Sequence, residues 1–168
     1  MSATPPWQPE VHADASWNSA VDLFAVVVTA YGGLMYHRTR RIATIGDSSA
    51  ENESVATLAA SHAAEQAIAI QRAMEQGRAE PTPVVVSSDN ESNLKVALRR
   101  GAAGRVKHIL RRWNSIRQRA RAGLVHLVHL PDPQMPTDFL TKWVSKAKVS
   151  ESLAYLTGSE RRVPPERK

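Results

Sequence analysis

Four acidic residues lie far apart in the sequence, each where a predicted strand meets a loop or a helix. They are Asp14, Glu53, Asp89 and Asp138. Four carboxylates brought together form a binding site for two hard cations, because carboxylate oxygens are preferred ligands of Mg²⁺ and Mn²⁺. Two cations held in this way can hydrolyse a phosphodiester bond. The order, spacing and local context of the four acids therefore predict a phosphodiesterase-type metal centre.

The elements that must position these acids follow from hydrophobic patterning. Strands are predicted at 10–15, 20–29, 34–38, 41–45, 83–88 and 124–130. Helices are predicted at 53–76, 92–100, 105–121 and 135–146, with 149–156 extending the last one. The closely spaced early strands favour an antiparallel meander, and the apolar run Val84-Val85-Val86 is typical of a central strand buried on both faces.

Each acid taken singly also fits a purely structural role. An Asp after a strand is often a turn or cap residue, and a carboxylate in the first turn of a helix complements the helix dipole. In α/β proteins, however, strand ends and helix N-termini are where functional groups converge. The hypothesis of a shared site therefore depends on all four acids fitting one plan.

Basic residues are concentrated in one acid-free segment. The chain of 168 residues has a net charge of +6, and residues 92–131 contain no Asp or Glu. The same segment carries ten basic residues: Lys95, Arg99, Arg100, Arg105, Lys107, Arg111, Arg112, Arg117, Arg119 and Arg121. An uncompensated basic block is typical of nucleic-acid contact, and the alternative is a solvated helix face that keeps the protein soluble.

Composition excludes several classes of protein. The chain has no cysteine, so it has no disulfide, thiolate zinc site or thiol nucleophile. The longest apolar run, 23–31, is too short to cross a bilayer, which predicts an intracellular protein of cytoplasm or nucleus with no membrane contact. Polar, proline-containing ends predict a flexible tail at 1–9, one domain at 10–157 and a flexible basic tail at 158–168.

Five short motifs resemble those of the ribonuclease H (RNase H) domain of copia-type, Pseudoviridae-like LTR retrotransposon polyproteins. That family carries Ser-Asp-Ala-Asp-Trp, Ser-Ser-Thr-Glu-Ala-Glu-Tyr, Cys-Asp-Asn-Gln-Ser, Thr-Lys-His-Ile and Ala-Asp-Ile-Phe-Thr-Lys. The similar segments here are Ala13-Asp14-Ala15-Ser16-Trp17, Ser48-Ser49-Ala50-Glu51-Asn52-Glu53-Ser54, Ser88-Asp89-Asn90-Glu91-Ser92, Val106-Lys107-His108-Ile109 and Thr137-Asp138-Phe139-Leu140-Thr141-Lys142. The resemblance spans roughly 10–145, with all five motifs in the family's order.

The resemblance implies a fold and an activity. The fold would be an α/β RNase H-like fold, with a five-stranded mixed sheet of three antiparallel and two parallel strands flanked by helices. The activity would be cleavage of the RNA strand of RNA–DNA hybrids with two Mg²⁺ ions, for which Mn²⁺ may substitute. The natural neighbour would be a reverse transcriptase in the parent polyprotein, and a virus-like particle is a further expected location.

The resemblance also assigns roles to residues. Asp14 would bridge the two ions, Glu53 and Asp89 would hold one of them, and Asp138 would hold the other. The residues expected to contact nucleic acid are Asn90, Arg105, Lys107, His108, Arg111, Arg112 and Arg119. Asn90 fits equally well as a cap of the following helix.

The chain departs from the family pattern at several positions. Ser16, Ser54 and Ser88 replace a usual Asp, Tyr and Cys, and none of these changes removes one of the four acids. The loop at 131–135 lacks the histidine that bacterial and retroviral relatives often carry, and His129 is a weak substitute. Glu53 is preferred to Glu51 as the ligand, because an apolar helix follows it at once; Glu51 would point to a different side of the helix.

Two other functions remain open from the sequence. The first is an inactive RNase H-fold domain that only binds nucleic acid or tethers a polymerase, which the presence of all four acids argues against. The second is a DNA nuclease or transposase core of the same fold. Such cores usually use three acids and lack the Asn that follows Asp89.

Overall fold

A mixed sheet of five strands forms the centre of the chain in a computed structural model that describes residues 8–17, 21–43, 48–74, 82–98 and 107–159. The strands are β1 (Glu10–Ala15), β2 (Leu23–Ala30), β3 (Gly33–Arg41), β4 (Val84–Ser88) and β5 (Val125–His129). Their order in the sheet is β3-β2-β1-β4-β5. β1, β2 and β3 pair antiparallel, whereas β4 pairs parallel to both β1 and β5. The predicted sheet of three antiparallel and two parallel strands is confirmed.

One strand replaces the two that were predicted at 34–38 and 41–45. The β2–β3 connection is a tight turn at Tyr31 and Gly32, which both have positive φ angles of 54° and 75°. Positive φ at both central residues is the geometry of a type I′ hairpin turn. Beyond it, β3 stays paired with β2 as far as the Leu23–Arg41 pair, because no turn residue interrupts it. The predicted break at 39–40 was therefore wrong, and residues 44–45 of the second predicted strand lie outside the described residues.

Four helices flank the sheet: α1 (Ser49–Met74), α2 (Glu91–Leu98), α3 (Lys107–Arg121) and α4 (Lys146–Leu156). α1 begins before the predicted start at Glu53. The hydroxyl of Ser48 accepts a hydrogen bond from the backbone N–H of Glu51 at 3.3 Å, and this cap starts the helix one turn earlier. Both Glu51 and Glu53 therefore lie within α1.

Small residues on α1 and an apolar stripe on α3 form the core against the sheet. On α1 the buried positions include Ala56, Ala60, Ala63, Ala64 and Ala67, which allow the helix axis to approach the strands closely. On α3, Ile109, Trp113 and Ile116 are buried, as expected of apolar positions spaced three or four residues apart on one side of a helix. Trp113 is only 2% exposed, so it belongs to the core.

The predicted helix at 135–146 was wrong. Two short 3₁₀ turns, Asp132–Gln134 and Asp138–Leu140, stand there instead, and the last helix is α4. Met135 has an extended backbone (φ −70°, ψ 115°), as a residue that precedes proline generally does. α4 then starts after Ser145, whose hydroxyl accepts from the Lys148 backbone N–H at 3.2 Å. The predicted extension at 149–156 thus lies within the true helix.

The described helices include none that combines the length and the apolar character needed to cross a membrane. The predicted tails at 1–9 and 158–168 lie mostly outside the described residues. The tail boundaries therefore stay predictions.

Candidate metal centre and nucleic-acid interface

The four predicted acids meet at one end of the sheet. β1 and β4 run parallel and side by side, so Asp14 near the end of β1 lies close to Asp89 just after β4. Glu53 reaches the same place from the first turns of α1, and Asp138 reaches it from the second 3₁₀ turn. We refer to these four side chains as the carboxylate cluster. Tertiary structure brings together residues that span 125 positions of the chain, from 14 to 138.

Two overlapping groups within this region have the spacing of cation ligands. Asp14, Glu53 and Asp89 each offer an oxygen within 4.8 Å of the others. Asp89, Asp138 and a further acid, Asp132, form a second group at the same spacing. Asp89 is common to both groups, whereas the sequence resemblance gives the bridging role to Asp14. The division of ligands between two ions stays a prediction.

Asp132 was missed by sequence reasoning. It lies between Pro131 and Pro133, and that segment was interpreted only as the end of β5. Its side chain is 65% exposed, in contrast to the buried side chain of Asp138. The proline-flanked 3₁₀ turn carries it to the mouth of the cluster, which local sequence patterning does not indicate.

Lys142 was also missed, although it belongs to the last of the five motifs. Its ammonium nitrogen lies 3.7 Å from Asp14 Oδ1, 3.9 Å from Asp89 Oδ2 and 3.3 Å from Asp138 Oδ1. It also lies 3.1 Å from Asp132 Oδ1. The spacing of four residues between Asp138 and Lys142 was the available signal, because residues so spaced share one side of a helical turn.

Neighbouring groups hold the cluster in place. The hydroxyl of Thr141 donates a short hydrogen bond to Asp14 Oδ2 and lies 3.2 Å from the backbone oxygen of Asp138. The backbone N–H of Ala15 donates to the Glu53 carboxylate. Lys148 Nζ contacts the backbone oxygens of Asp132 and Pro133, which ties the loop before Asp138 to α4. The cluster is thus held by contacts from three segments: β1, the residues after the second 3₁₀ turn, and α4.

Burial and mutual repulsion raise the pKa values of the cluster. Loss of hydration raises the pKa of Asp14 to about 6, with Lys142 and Thr141 opposing that rise. Loss of hydration, followed by repulsion from Asp89 and Asp14, raises the pKa of Glu53 to about 9. Burial is also the main cause that raises the pKa values of Asp89 and Asp138. The lysines near the cluster therefore do not fully compensate the negative charge of its carboxylates.

The donor set fits a hard divalent cation. Among the described residues, Asp14 Oδ1, Glu53 Oε2, Asp89 Oδ1 and Asp138 Oδ1 are buried and have no hydrogen-bond partner. Buried polar atoms nearly always accept hydrogen bonds in folded proteins, so carboxylate oxygens that accept none and have only Lys142, among the described residues, as a nearby positive charge for two of them suit a cation ligand set. Oxygen-only ligands suit Mg²⁺ or Mn²⁺ and give no softer metal an advantage.

The basic helix α3 turns several of its arginines inward. Arg112 Nη1 lies 3.3 Å from Glu51 Oε1, and Arg119 Nη2 lies 3.1 Å from Glu65 Oε2. Arg117 donates hydrogen bonds to the backbone oxygens of Ala97 and Val96 at 2.9 and 3.0 Å. It thereby satisfies two carbonyl groups in the last turn of α2. These contacts fasten α3 to its neighbours, a role that the sequence did not predict for the arginines.

The remaining predicted nucleic-acid contacts have varied surroundings. Arg111 is exposed on α3. Lys107 and His108 lie in the first turn of α3, and Arg105 lies outside the described residues. The side-chain oxygen of Asn90 accepts from the Asn93 backbone N–H at 3.0 Å, which is the cap geometry that the sequence left open. Among the predicted contacts whose side chains the structure describes, Arg111 is the exposed one.

His129 lies beside the cluster without entering it. Its Nε2 is 3.0 Å from the backbone oxygen of Asp89, and the side chain is exposed at the end of β5. The loop at 131–135 has no histidine, and His129 and Asp132 lie beside the cluster.

Several solved structures share the architecture of this chain. The N-terminal RNase H domain of Rv2228c from Mycobacterium tuberculosis, solved as a fusion with maltose-binding protein, gives a TM-score of 0.55 at 12% identity, covering 88% of this chain and 96% of that one. RNase H1 from the halophilic archaeon Halobacterium salinarum NRC-1 gives 0.51 at 14% identity, covering 74% and 86%. LC11-RNase H1, isolated from compost by a metagenomic approach, gives 0.51 at 16% identity, covering 87% and 98%.

These likenesses establish that the chain has an RNase H-like fold. No protein-family model matches the chain. No curated protein matches it in sequence either. The predicted relationship to copia-type retrotransposons therefore continues to depend on the five motifs alone.

Proposed function

We propose that the protein is an endoribonuclease that hydrolyses the RNA strand of RNA–DNA hybrids with the help of divalent cations. The observation that carries this proposal is the convergence of the four carboxylates at one end of an RNase H-like sheet. Structural likeness alone supports the fold, and function depends on the site that the fold carries. The buried carboxylate oxygens that accept no hydrogen bond give that site a cation-binding chemistry.

The cluster would hold the cations, with Asp132 as an additional outer ligand. Bound Mg²⁺ or Mn²⁺ would activate a water molecule and stabilise the charge on the leaving oxygen of the phosphodiester. Asp14 and Glu53 are kept in fixed orientation by Thr141 and by the Ala15 backbone N–H. A preoriented set of ligands saves the free energy that reorganising them during the reaction would cost.

The protein groups alone would repel the substrate from the reacting position. The cluster and Asp132 bring five carboxyl groups to the site, of which Glu53 keeps its proton at neutral pH, and they are opposed by Lys142 and, at Asp138 Oδ2, by Lys148 at 3.9 Å. A phosphodiester is itself an anion, so binding at this place requires added positive charge. The proposal therefore makes activity strictly dependent on a divalent cation.

The hybrid would be held beside the cluster by basic residues. Arg111 is the exposed residue of α3 that we expect to contact a phosphate, together with the sequence-based candidates Arg105, Lys107 and His108. Arg112 and Arg119 would contribute less to hybrid binding, because their charges are partly neutralised by Glu51 and Glu65. Selection of RNA over DNA would use contacts to 2′-hydroxyl groups.

The five motifs support a further proposal about context. They favour a retrotransposon polyprotein as the parent of this domain, with a reverse transcriptase as neighbour. Removal of RNA from a hybrid is the reaction that such a polymerase requires after copying RNA into DNA.

The decisive experiment is cleavage of an RNA–DNA hybrid labelled on its RNA strand. Wild type is expected to cut the RNA in Mg²⁺ or Mn²⁺ and to stop when EDTA is added. Asp14→Asn and Asp89→Asn are expected to abolish cutting. Glu91→Gln is the matched control, because it also removes one carboxylate but from an exposed pair with Lys95 at 2.8 Å outside the cluster.

Other outcomes would direct the assignment elsewhere. An intact hybrid, or equal cutting by the Asp variants, contradicts the proposal. Salt-dependent binding of the hybrid without cutting would support an inactive binding domain. Parallel assays with double-stranded DNA and double-stranded RNA separate a hybrid-specific enzyme from a DNA nuclease of the same fold.

A further inference from the structure

Lys142 occupies the centre of the carboxylate region. Its Nζ lies within 4 Å of oxygens from Asp14, Asp89, Asp138 and Asp132. These are the oxygens of the residues that the proposed function assigns to cation binding. A lysine ammonium and a divalent cation carry like charge, and two like charges a few ångströms apart repel strongly where water is scarce. Both cannot be held by the same oxygens at once.

The backbone of Lys142 is fixed while its side chain has a route outward. The backbone N–H of Lys142 donates to the oxygen of Asp138 at 2.9 Å, and the preceding Thr141 is bonded to Asp14. The side chain, however, is 37% exposed. Four methylene groups give a lysine ammonium a wide reach without any change in the backbone.

Asp132 marks the outer end of that route. It makes the shortest of the four contacts to Lys142 Nζ, at 3.1 Å, and is much more exposed than the other three acids. An ammonium that leaves the buried oxygens can therefore remain paired with Asp132 at the surface. A retained partner lowers the free energy needed to vacate the interior.

Lys148 differs from Lys142 in what it contacts. Its Nζ is bonded to the backbone oxygens of Asp132 and Pro133, and it touches one acid of the cluster, Asp138, at 3.9 Å. Its contacts keep a loop in place, and a cation on the cluster does not compete for those carbonyl groups. Of the two lysines, therefore, only Lys142 competes with a divalent cation for the carboxylate oxygens.

We propose that Lys142 is a built-in competitor for the divalent cations, which holds the carboxylate cluster together and must swing outward towards Asp132 before they bind. Lys142 would then set the cation concentration at which the site fills. This inference rests on the proposed function, because that function supplies the cations. It makes Lys142 a positioning residue that acts through the ligands.

The first test measures Mn²⁺ binding at neutral pH without nucleic acid, by the electron paramagnetic resonance signal of free Mn²⁺. Lys142→Met is expected to bind Mn²⁺ at least about tenfold more tightly than wild type, because the competing positive charge of Lys142 has been removed. Lys142→Arg is expected to stay near wild type. Lys95→Met is the matched control, since Lys95 pairs only with Glu91 at the surface. Unchanged or weaker binding by Lys142→Met overturns the competition.

The second test uses wild type, so it does not depend on a variant that might fold poorly. The protein is pulsed with acetic anhydride with and without Mn²⁺, and acetylation of each lysine is read by peptide mass spectrometry. Lys142 is expected to become severalfold more reactive in Mn²⁺ as it leaves its carboxylate partners, whereas Lys95 is expected to be unaffected. Unchanged or reduced labelling of Lys142 overturns the proposed displacement.

The two proposals fail in different ways. Tighter binding by Lys142→Met in a protein that never cuts the hybrid contradicts only the proposed activity. Hybrid cleavage by a wild type whose Lys142→Met variant binds Mn²⁺ no better contradicts only the competition. An absence of Mn²⁺ binding in wild type and in Lys142→Met contradicts both.

Discussion

Glu51 and Glu53 lie two residues apart in α1, and their surroundings differ more than their burial. Their side chains are similarly hidden, at 7% and 6% exposure. Glu51 faces α3 and is paired with Arg112 at 3.3 Å. Glu53 faces the cluster, where its nearest charged neighbours include Asp89 and Asp14 and its pKa rises to about 9. Burial therefore does not separate Glu51 from the proposed cation ligand Glu53, whereas the charge of the nearest partner does.

The same contrast extends to the two regions as wholes. Around α3, buried or half-buried acids and arginines compensate each other, as in the pairs Glu51–Arg112 and Glu65–Arg119. At the sheet end, the acids outnumber the cations, and several buried carboxylate oxygens in the described part of the chain accept no hydrogen bond. Under the proposed function, bound cations would supply the compensating charge there and would stabilise the folded state.

The largest expected effect comes from exchanging the two glutamates for glutamine one at a time. Glu53→Gln should lower the rate of hybrid cleavage by more than about 100-fold. Removing a residue that only orients a metal ligand costs at most about 100-fold, and loss of a ligand itself should cost more. Glu51→Gln should keep a rate close to that of wild type. The check is single-turnover cleavage in saturating Mg²⁺, and equal losses in the two variants would remove the distinction.

Stability as a function of pH should separate the two glutamates next. The pKa of Glu53 rises from an ordinary 4.5 to about 9 on folding, so between these values the folded state keeps a proton that the unfolded state has released. The stabilisation is complete below about pH 4.5 and is lost as the pH rises through about 9. Asp14 acts in the same direction between 3.8 and about 6.

We therefore expect the free energy of unfolding in EDTA to fall from pH 5 to pH 9 in wild type. Glu53→Gln should fall less steeply, because glutamine does not titrate, and Mg²⁺ should flatten the curve of wild type. Urea unfolding across this range measures both effects. A curve for Glu53→Gln as steep as that of wild type would show that Glu53 is not the group responsible.

A smaller effect is expected when the compensated pair is broken. Glu51→Gln leaves Arg112 without its carboxylate and should cost about 1–2 kcal/mol of stability, less than for a fully buried pair because the Arg112 side chain is 26% exposed. Arg112→Met should cost a similar amount, and the double variant should cost less than the sum. A double-mutant cycle measured by urea unfolding gives the coupling free energy between Glu51 and Arg112. If the losses of stability in the two single variants add up to the loss in the double variant, the pair contributes nothing.

The smallest expected effect concerns the exposed side of α3. Arg111→Ala should weaken hybrid binding only severalfold and reduce the slope of log affinity against log salt by about 1, with little change in stability. Arg119→Ala should instead lower stability, because Arg119 is paired with Glu65. Fluorescence anisotropy at several salt concentrations, beside thermal unfolding, tests both. A larger binding loss for Arg119→Ala would place the hybrid on the other side of the helix.

Motif-level patterns predicted the elements well wherever local forces dominate. The periodic apolar positions Ile109, Trp113 and Ile116 marked α3, and the Val-rich run 84–86 marked β4, an interior strand of the sheet. Predictions failed where a few residues compete with the pattern, as in 135–146. There the apolar spacing suits a helix, but Met135 precedes a proline and is extended, and only a 3₁₀ turn at Asp138–Leu140 follows it.

The sequence by itself identified the four acids and the type of element that carries Asp14, Glu53 and Asp89, whereas Asp138 lies on a 3₁₀ turn and not in the predicted helix. It also determined the basic excess of 92–131, because composition and periodicity are local properties of a chain. Only the tertiary structure decided which charges meet. It placed Lys142 among the acids, added Asp132 to them and paired Arg112 with Glu51. Such pairings join residues up to 128 positions apart, from 14 to 142, and are fixed by strand order and helix packing, which local patterning does not encode.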